Sequence, residues 1–211
     1  MIKQIKYEKL FYTPLIRFRL NNHEELNKEI LIEYQRLRAD SSGLTKSNIG
    51  GWHSKGNLFD SDVRCIRELR DAARESVYDV TRKVTKKVDP ESLRLRMFAW
   101  MNANSLGSYN APHTHPMAHW SGVYYVSLPK TESKYSGMVE FHDPRTDLPN
   151  WRILGGRAFA RKRQVRPNAG ELIIFPSYLL HWVYPNESDG ERVSIAFNAT
   201  FRKPVKKKLS S

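Results

Sequence analysis

Two histidines separated by one residue are the first feature of the sequence that could carry chemistry. His113 and His115 lie in the run NAPHTHP at residues 110–116, and His119 follows them closely. If this run enters a β-strand, side chains two residues apart project from the same face, so the pair can bind one metal ion. Imidazole suits iron, zinc, copper and nickel. Because Cys65 is the only cysteine, a thiolate cluster is excluded.

A third histidine can complete the site from much further along the chain. His181 follows the mostly apolar run ELIIFPSYLL at residues 171–180, which reads as a buried strand and a proline-containing turn. The pair His113 and His115 alone would also fit loop histidines that are hydrogen-bonded to backbone carbonyls. The pair, the intervening strands and His181 together are a more specific pattern, and they predict a metal site of these three histidines.

A cationic side chain follows the third histidine on the next strand-like run. In RVSIAFN at residues 192–198, Arg192 and Ser194 alternate onto one face, and apolar residues occupy the other. A guanidinium beside a hydroxyl can bind a carboxylate through two hydrogen bonds. The alternative is an arginine at the surface or in a salt bridge. Its position after His181 favours a role for Arg192 at the metal site.

The elements that must position these residues are two helices followed by strands. A strand is expected over 11–20, at a sheet edge because of Pro14. Apolar residues at helical spacing predict one helix over 22–37 and a longer one over 63–88, which Pro90 ends. The strands that follow are expected at 93–102, 121–128, 137–141, 159–165, 171–175, 181–184 and 192–201. The pattern is typical of a mainly β fold with N-terminal helices that buttress a sandwich or barrel.

Length and charge restrict the class of protein further. The 211 residues suit a single domain, with a supporting segment at 1–90, a β core at 91–202 and a basic tail at 203–211. Thirty-five Lys and Arg against 22 Asp and Glu give a net charge of +13, which admits nucleic acid, an anionic surface or anionic substrates as partners. No run is apolar enough to span a membrane or to form a signal peptide. With one cysteine, a reducing cytoplasm is the expected location.

The motifs taken together resemble the 2-oxoglutarate- and Fe(II)-dependent oxygenases, in the prolyl-hydroxylase-like branch, and most of all members from marine bacteria and phages. The resemblance covers residues 102–201 and rests on NAPHTHP, SGVYYV at 121–126, the FPSYLLH run at 175–181 and RVSIAFN. It implies a double-stranded β-helix (jelly roll, cupin-like) core. It also implies Fe(II), 2-oxoglutarate and O2 as cofactor and cosubstrates, and hydroxylation of an unactivated C–H bond with release of succinate and CO2.

The resemblance also implies roles for individual residues. His113 and His181 correspond to the two metal-binding histidines, and Arg192 corresponds to the arginine that holds the C5 carboxylate of 2-oxoglutarate. Tyr125 matches the strand tyrosine that helps to bind the cosubstrate, and Ser194 supports Arg192. Asn110 either contacts the cosubstrate or caps a turn.

The sequence departs from the family pattern at one ligand. His115 stands where the family has an aspartate or a glutamate. A site of three neutral imidazoles has one negative charge fewer than a site of two histidines and a carboxylate, which should strengthen the attraction of the iron for anionic ligands. Either His115 binds the metal in place of the carboxylate, or the activity differs from ordinary hydroxylation.

Two other classes of protein remain as alternatives. The histidines also resemble the cupin motifs, which would make the protein a three- or four-histidine dioxygenase that does not use 2-oxoglutarate. In that case His119 could be a fourth metal ligand, although we favour a position in which His119 supports the ligands from behind and does not bind the metal itself. Arg192 and Tyr125 favour the oxygenase. The second alternative is a basic nucleic-acid-binding protein with a structural metal, but the sequence contains no recognisable nucleic-acid-binding module.

The sequence says least about the substrate. The family resemblance fits a peptidyl side chain or a small molecule, and it does not decide between a monomer and a homodimer. The basic residues at 157–166 could lie beside the mouth of the site and attract an anionic substrate. Trp52 and His53, in a glycine-bounded loop, could form part of a lid, or Trp52 could pack under that loop.

Overall fold

Two antiparallel β-sheets form the framework of the protein. The computed structural model describes residue 6, residues 11–145, residues 153 and 156, and residues 159–204. The two long helices there are α1 (His23–Asp40) and α2 (Arg64–Val84). The strands are β1 (Ile16–Arg19), β2 (Asn48–Ile49), β3 (Trp52–His53), β4 (Arg94–Asn104), β5 (Tyr109–His113), β6 (Trp120–Ser127), β7 (Val139–His142), β8 (Lys162–Val165), β9 (Glu171–Pro176), β10 (His181–Val183) and β11 (Arg192–Arg202).

The strand order shows how the chain winds between the sheets. The six-stranded major sheet has the order β1-β9-β6-β11-β4-β3, and the five-stranded minor sheet has the order β2-β5-β10-β7-β8. From β4 onwards the chain passes repeatedly from one sheet to the other, and the two sheets face each other. This is the double-stranded β-helix, or jelly roll, that was expected for the core.

Two apolar clusters hold the layers together. In the larger one, Ile30 of α1 and Ile66 of α2 pack with Ile195 of β11 against the outer face of the major sheet. The smaller one lies between the sheets and contains Phe141 and Phe175. Burying each of these side chains contributes about 1.5–3 kcal/mol to folding. The helices therefore support the major sheet from behind and leave its inner face free for the site.

Burial on both faces explains the apolar run in β9. Leu172 and Ile174 belong to the cluster under the helices, whereas Ile173 and Phe175 face the minor sheet. In β11, by contrast, polar and apolar residues alternate, so that Arg192 and Ser194 enter the space between the sheets. Because successive side chains of a strand point to opposite faces, the strand places these polar groups in the cavity that His113, His115 and His181 also line.

The helices differ from the prediction at their ends. Asn22 precedes α1 but makes no capping hydrogen bond, and its side-chain amide donates to Glu68 instead. The second helix ends at Val84 and does not continue to residue 88, because Val88 is exposed and gains nothing from a helical position. Pro90 begins a separate 3-10 turn. No described helix is both long and apolar enough to cross a membrane.

Several strands are shorter than expected, and three were not predicted. The first strand occupies Ile16–Arg19 only, and it lies at the edge of the major sheet as Pro14 indicated. The unpredicted strands are β2, β3 and β5. Each has five residues or fewer, which is too short for a clear hydrophobic period. The predicted basic tail at 203–211 lies largely outside the described residues.

Candidate metal centre

The three histidines predicted as metal ligands converge at one end of the minor sheet. His113 ends β5 and His181 begins β10, and the two are direct partners in the antiparallel ladder. Their ring centroids lie 4.4 Å apart. His115 lies in the loop after β5, with its ring centroid 4.9 Å from that of His113. One ligand atom from each histidine lies within 4.8 Å of the others, a spacing at which a single ion can be bound.

The local structure fixes His115 differently from the prediction. The strand ends at His113, so the two histidines do not share one strand face. Instead the backbone N–H of His115 donates to the carbonyl of Ser177 at 2.8 Å, which ties the loop to the turn before β10. The turn that delivers His181 therefore also holds His115 in place.

Hydrogen bonds and burial prepare the histidines for a cation. The Nδ1 atom of His113 lies 2.7 Å from the carbonyl of Ala111, and that of His181 lies 2.8 Å from the carbonyl of Leu179. Each Nδ1 can donate its proton there, which leaves the lone pair of Nε2 for a metal. Burial lowers the pKa of His181 to about 3 and that of His115 to about 4, so both rings are neutral near neutral pH.

Aromatic side chains surround the histidines and restrict water. The ring of Phe175 lies 4.8 Å from His181. On the other side, Trp100 of β4 lies 5.7 Å from His115, and His53 stacks on Trp100 at 5.7 Å. Trp52, a candidate lid residue, packs instead against Tyr34 of α1 in the core under the helices. His53 was a candidate from the sequence, whereas Trp100, which lies between His53 and His115, was not.

Arg192 is buried in the same cavity as the histidines. It is 2% exposed, and its guanidinium lies 5.1 Å from the ring centroid of Tyr125. It donates to the carbonyl of Gly137 at 3.2 Å and to the hydroxyl of Ser194 at 3.3 Å. No carboxylate among the described residues forms an ion pair with it. A buried cation without a counter-ion costs several kcal/mol, a cost that an anionic ligand beside Arg192 would offset.

The groups beside Arg192 come from three neighbouring strands. Ser194 of β11 lies opposite Asn102 of β4 and Tyr125 of β6 in the ladders of the major sheet. The buried Oδ1 of Asn102 has no hydrogen-bond partner among the described residues, and the side chain lines the cavity. Asn102 was not predicted from the sequence, although the alternation in β4 places it on the same face as Trp100. Asn110 also lines the cavity, but its Oδ1 accepts a hydrogen bond from Asn104 at 3.2 Å.

His119 lies apart from this group. Its side chain is exposed, and its Nδ1 accepts a hydrogen bond from the backbone N–H of Phe201 at 3.2 Å. The interpretation that His119 supports the ligands from behind is therefore wrong, because its ring is held against β11. The described cluster of possible ligands contains three histidines and does not include a fourth.

Lys162 and Arg166 of the basic segment at 157–166 are engaged away from the histidines. Lys162 pairs with the buried Glu140 at 2.9 Å, and Arg166 donates to the carbonyl of Ser133 at 2.9 Å. Arg163 is exposed on the edge strand β8, but it lies opposite Phe141, which in turn lies opposite His181, so its side chain is on the sheet face that carries His181. Arg157 lies outside the described residues. At least two members of the predicted basic rim are thus engaged elsewhere on the protein.

Comparison with known proteins agrees with this geometry. The model of a family described as "Putative 2OG-Fe(II) oxygenase" matches residues 98–198, which contain the three histidines, Tyr125 and Arg192. No curated protein matches the sequence.

Solved structures of low sequence identity share the fold. A prolyl-4-hydroxylase from Pseudomonas putida has a TM-score of 0.61 and 14% identity, over 90% of this chain and 93% of that one. HygX from Streptomyces hygroscopicus, solved with nickel, 2-oxoglutarate and hygromycin B, also has a TM-score of 0.61 and 14% identity, over 89% and 83%. The epimerase SnoN from nogalamycin biosynthesis has a TM-score of 0.60 and 15% identity, over 88% and 78%. In residues 98–198, just under half of the chain, and in its fold, the protein is therefore similar to the 2OG-Fe(II) oxygenases.

Proposed function

We propose that the protein is a hydroxylase in which His113, His115 and His181 hold Fe(II) and Arg192 holds the remote carboxylate of 2-oxoglutarate. The observation that supports this assignment is that the three histidines and the buried, uncompensated Arg192 line one cavity. A metal-binding group at one end and a cation at the other match the two ends of a 2-oxo dicarboxylic acid. The donor set fits the metal, since the three imidazoles are neutral and converge.

Iron and 2-oxoglutarate, when bound, supply the activation of O2 for oxidation of an unactivated C–H bond, with succinate and CO2 as the other products. The protein's own groups orient the reactants. Arg192 donates to the remote carboxylate, and Ser194 holds the guanidinium in place through its hydroxyl. Burial raises the pKa of Tyr125, so its phenol stays protonated and can donate a hydrogen bond. Phe141 and Phe175 exclude water from the histidines.

The third imidazole changes the charge of the site and not its ability to bind a cation. His115 is neutral at neutral pH because burial lowers its pKa to about 4. Its replacement of the family's carboxylate leaves the bound metal with its full positive charge. We expect such a metal to attract the anionic cosubstrate more strongly than a site with a carboxylate ligand.

We further propose a small-molecule or peptidyl substrate, and a reducing cytoplasm as the location. HygX was solved with hygromycin B, whereas a prolyl hydroxylase from Trichoplax adhaerens, with a TM-score of 0.58, was solved with a peptide fragment. Cys65, the chain's single cysteine, is buried, and burial raises the pKa of its thiol, which suits a compartment without disulfide formation.

Anaerobic calorimetric titration of the Fe(II)-loaded protein with 2-oxoglutarate tests the proposal. We expect binding of one molecule per chain, and much weaker binding to the metal-free protein, because the 2-oxo acid group would have lost its partner. Succinate, which has both carboxylates but no 2-oxo group, serves as the control ligand and should bind more weakly. Absence of 2-oxoglutarate binding to the iron-loaded protein would refute the assignment of Arg192.

A further inference from the structure

A groove next to His115 carries the charge of a substrate site. We propose that the substrate to be oxidised is a small organic anion whose phosphate or carboxylate binds Arg94, Arg96 and Arg202 in this groove, which we name the arginine groove. The inference rests on the proposed function, because it takes the histidine cluster as the place of reaction.

The floor of the groove is the inner face of β4 and β11. These strands pair over their whole lengths and extend beyond the histidines. Trp100 lies opposite Ala196 at the level of His115, and both line the cavity of the histidines. Further out on the same face, the opposed pairs are Phe98 with Asn198, Arg96 with Thr200, and Arg94 with Arg202. One continuous surface therefore runs from the cosubstrate groups, past the metal ligands, to three arginines.

Two loops wall the groove. On one side the side chain of Asn57 binds the free edge of β4, with its Oδ1 accepting from the N–H of Ala99 at 2.8 Å. On the other side the hydroxyl of Thr200 donates to the carbonyl of Met117 at 3.3 Å. The space between the walls is about 840 Å³ and reaches His115. Small-molecule sites typically enclose about 300–1,000 Å³, so the groove suits such a substrate better than a folded partner.

The arginines outnumber the acidic residues in the groove: its described lining contains one carboxylate, that of Asp60, whose Oδ1 accepts a hydrogen bond from Asn57 at 2.8 Å. Arg94, Arg96 and Arg202 are exposed, and none of them forms an ion pair with a carboxylate of the described chain, whereas Arg36 pairs with Glu33 at 2.7 Å. Arg94 and Arg202 lie directly opposite each other, and like charges at opposed positions of a ladder are destabilising. A bound anion would offset this repulsion, and the guanidinium group matches phosphate and carboxylate geometry.

The spacing along the strands defines the shape of the substrate. With a rise of about 3.3 Å per residue, Arg96 lies roughly 13 Å from the level of Trp100. Phe98 lies between them and is 50% exposed, and its ring centroid lies 6.3 Å from that of Trp100. The substrate should therefore be elongated, with its anionic group about four strand residues from the oxidised carbon and an apolar part over Phe98.

Calorimetry with defined anions tests the arginine groove. The protein is loaded with Fe(II) and saturated with 2-oxoglutarate under anaerobic conditions, so that Arg192 is occupied. The probes are phenyl phosphate, phenylacetate, the neutral benzyl alcohol and an acidic hexapeptide. They are titrated into the wild type, the double variant Arg96→Gln/Arg202→Gln, and the control Arg67→Gln/Arg74→Gln. The control removes the same charge from exposed positions of α2, on the far side of the major sheet.

We expect phenyl phosphate or phenylacetate to bind the wild type and the control equally, and the groove variant at least about tenfold more weakly. The better of the two anions identifies the group that the arginines select. Equal affinity for wild type and groove variant, or no binding of either anion, would overturn the inference, and tighter arginine-dependent binding of the hexapeptide would overturn its small-molecule part. Failure of 2-oxoglutarate to bind the wild type is a separate result, which contradicts the proposed function itself.

Discussion

Replacement of Arg192 by glutamine should weaken 2-oxoglutarate binding by a factor on the order of 100. The guanidinium uses two of its N–H groups for Gly137 and Ser194, at 3.2 and 3.3 Å, and keeps others for a ligand. A hydrogen bond to a charged group contributes about 1.5–3 kcal/mol, so loss of a two-bond contact costs about 3–6 kcal/mol. The glutamine amide can restore one weaker bond, which leaves a loss near 3 kcal/mol.

Two ligands separate this effect from general damage to the site. In anaerobic calorimetry of the metal-loaded protein, the affinity for 2-oxoglutarate should fall in Arg192→Gln. The affinity for 2-oxobutyrate, which has the 2-oxo acid group but no remote carboxylate, should stay within about twofold of the wild type, because Arg192 has no partner in that ligand.

Two outcomes would refute this role of Arg192. One is an unchanged affinity of Arg192→Gln for 2-oxoglutarate. The other is an equal loss for both ligands, which would indicate that the substitution disturbs the metal end of the cavity. Thermal unfolding of both proteins shows whether the variant is folded, since Arg192 is fully enclosed by protein.

Three further predictions concern the core, the pH dependence and the unusual ligand. Gly122→Ala should lower the free energy of unfolding in urea by about 1–3 kcal/mol, because its methyl group would lie 2.2 Å from the ring of Phe197; an unchanged midpoint would contradict this packing. The metal-free protein should lose stability between about pH 7 and about pH 5. The pKa values of His115 and His181 in the folded state, about 4 and about 3, lie below the ordinary value of 6.5, so the unfolded chain binds more protons as the pH falls; constant stability in urea unfolding over this range would contradict it. His115→Asp should still bind iron and should bind 2-oxoglutarate several-fold more weakly in calorimetry, because the added negative charge opposes an anionic ligand; tighter binding would contradict this electrostatic argument.

Much of the site could be predicted because its residues have distinctive chemistry. His113, His115, His181 and Arg192 occur in spaced motifs, and the structure brings all four to one cavity. Tryptophan side chains pack in many protein cores, so the residue type of Trp100 gives no functional signal. Its role depends on the register between β4 and β11, which a single sequence does not specify.

The fold was predictable where elements are long and periodic, and less so elsewhere. The two helices, the apolar strand β9 that precedes His181 and the strand β11 that carries Arg192 have clear hydrophobic patterns. Strand β5 was missed because it contains Pro112 and polar residues; Pro112 is tolerated because it lies where the ladder with β10 shifts register, between His113 and Asn110. The exposed position of His119 depends on its hydrogen bond to the backbone of Phe201, which the local sequence does not indicate.

The metal content of two histidine variants tests the central claim most directly. After anaerobic loading with Fe(II) and removal of free metal, the wild type should retain about one iron per chain. His181→Ala should retain almost none, because the triad loses its most buried ligand. His119→Ala is the matched control and should retain iron as the wild type does, since this ring binds the backbone of Phe201. Iron retained by His181→Ala at the wild-type level, or lost from His119→Ala, would contradict the three-histidine metal centre.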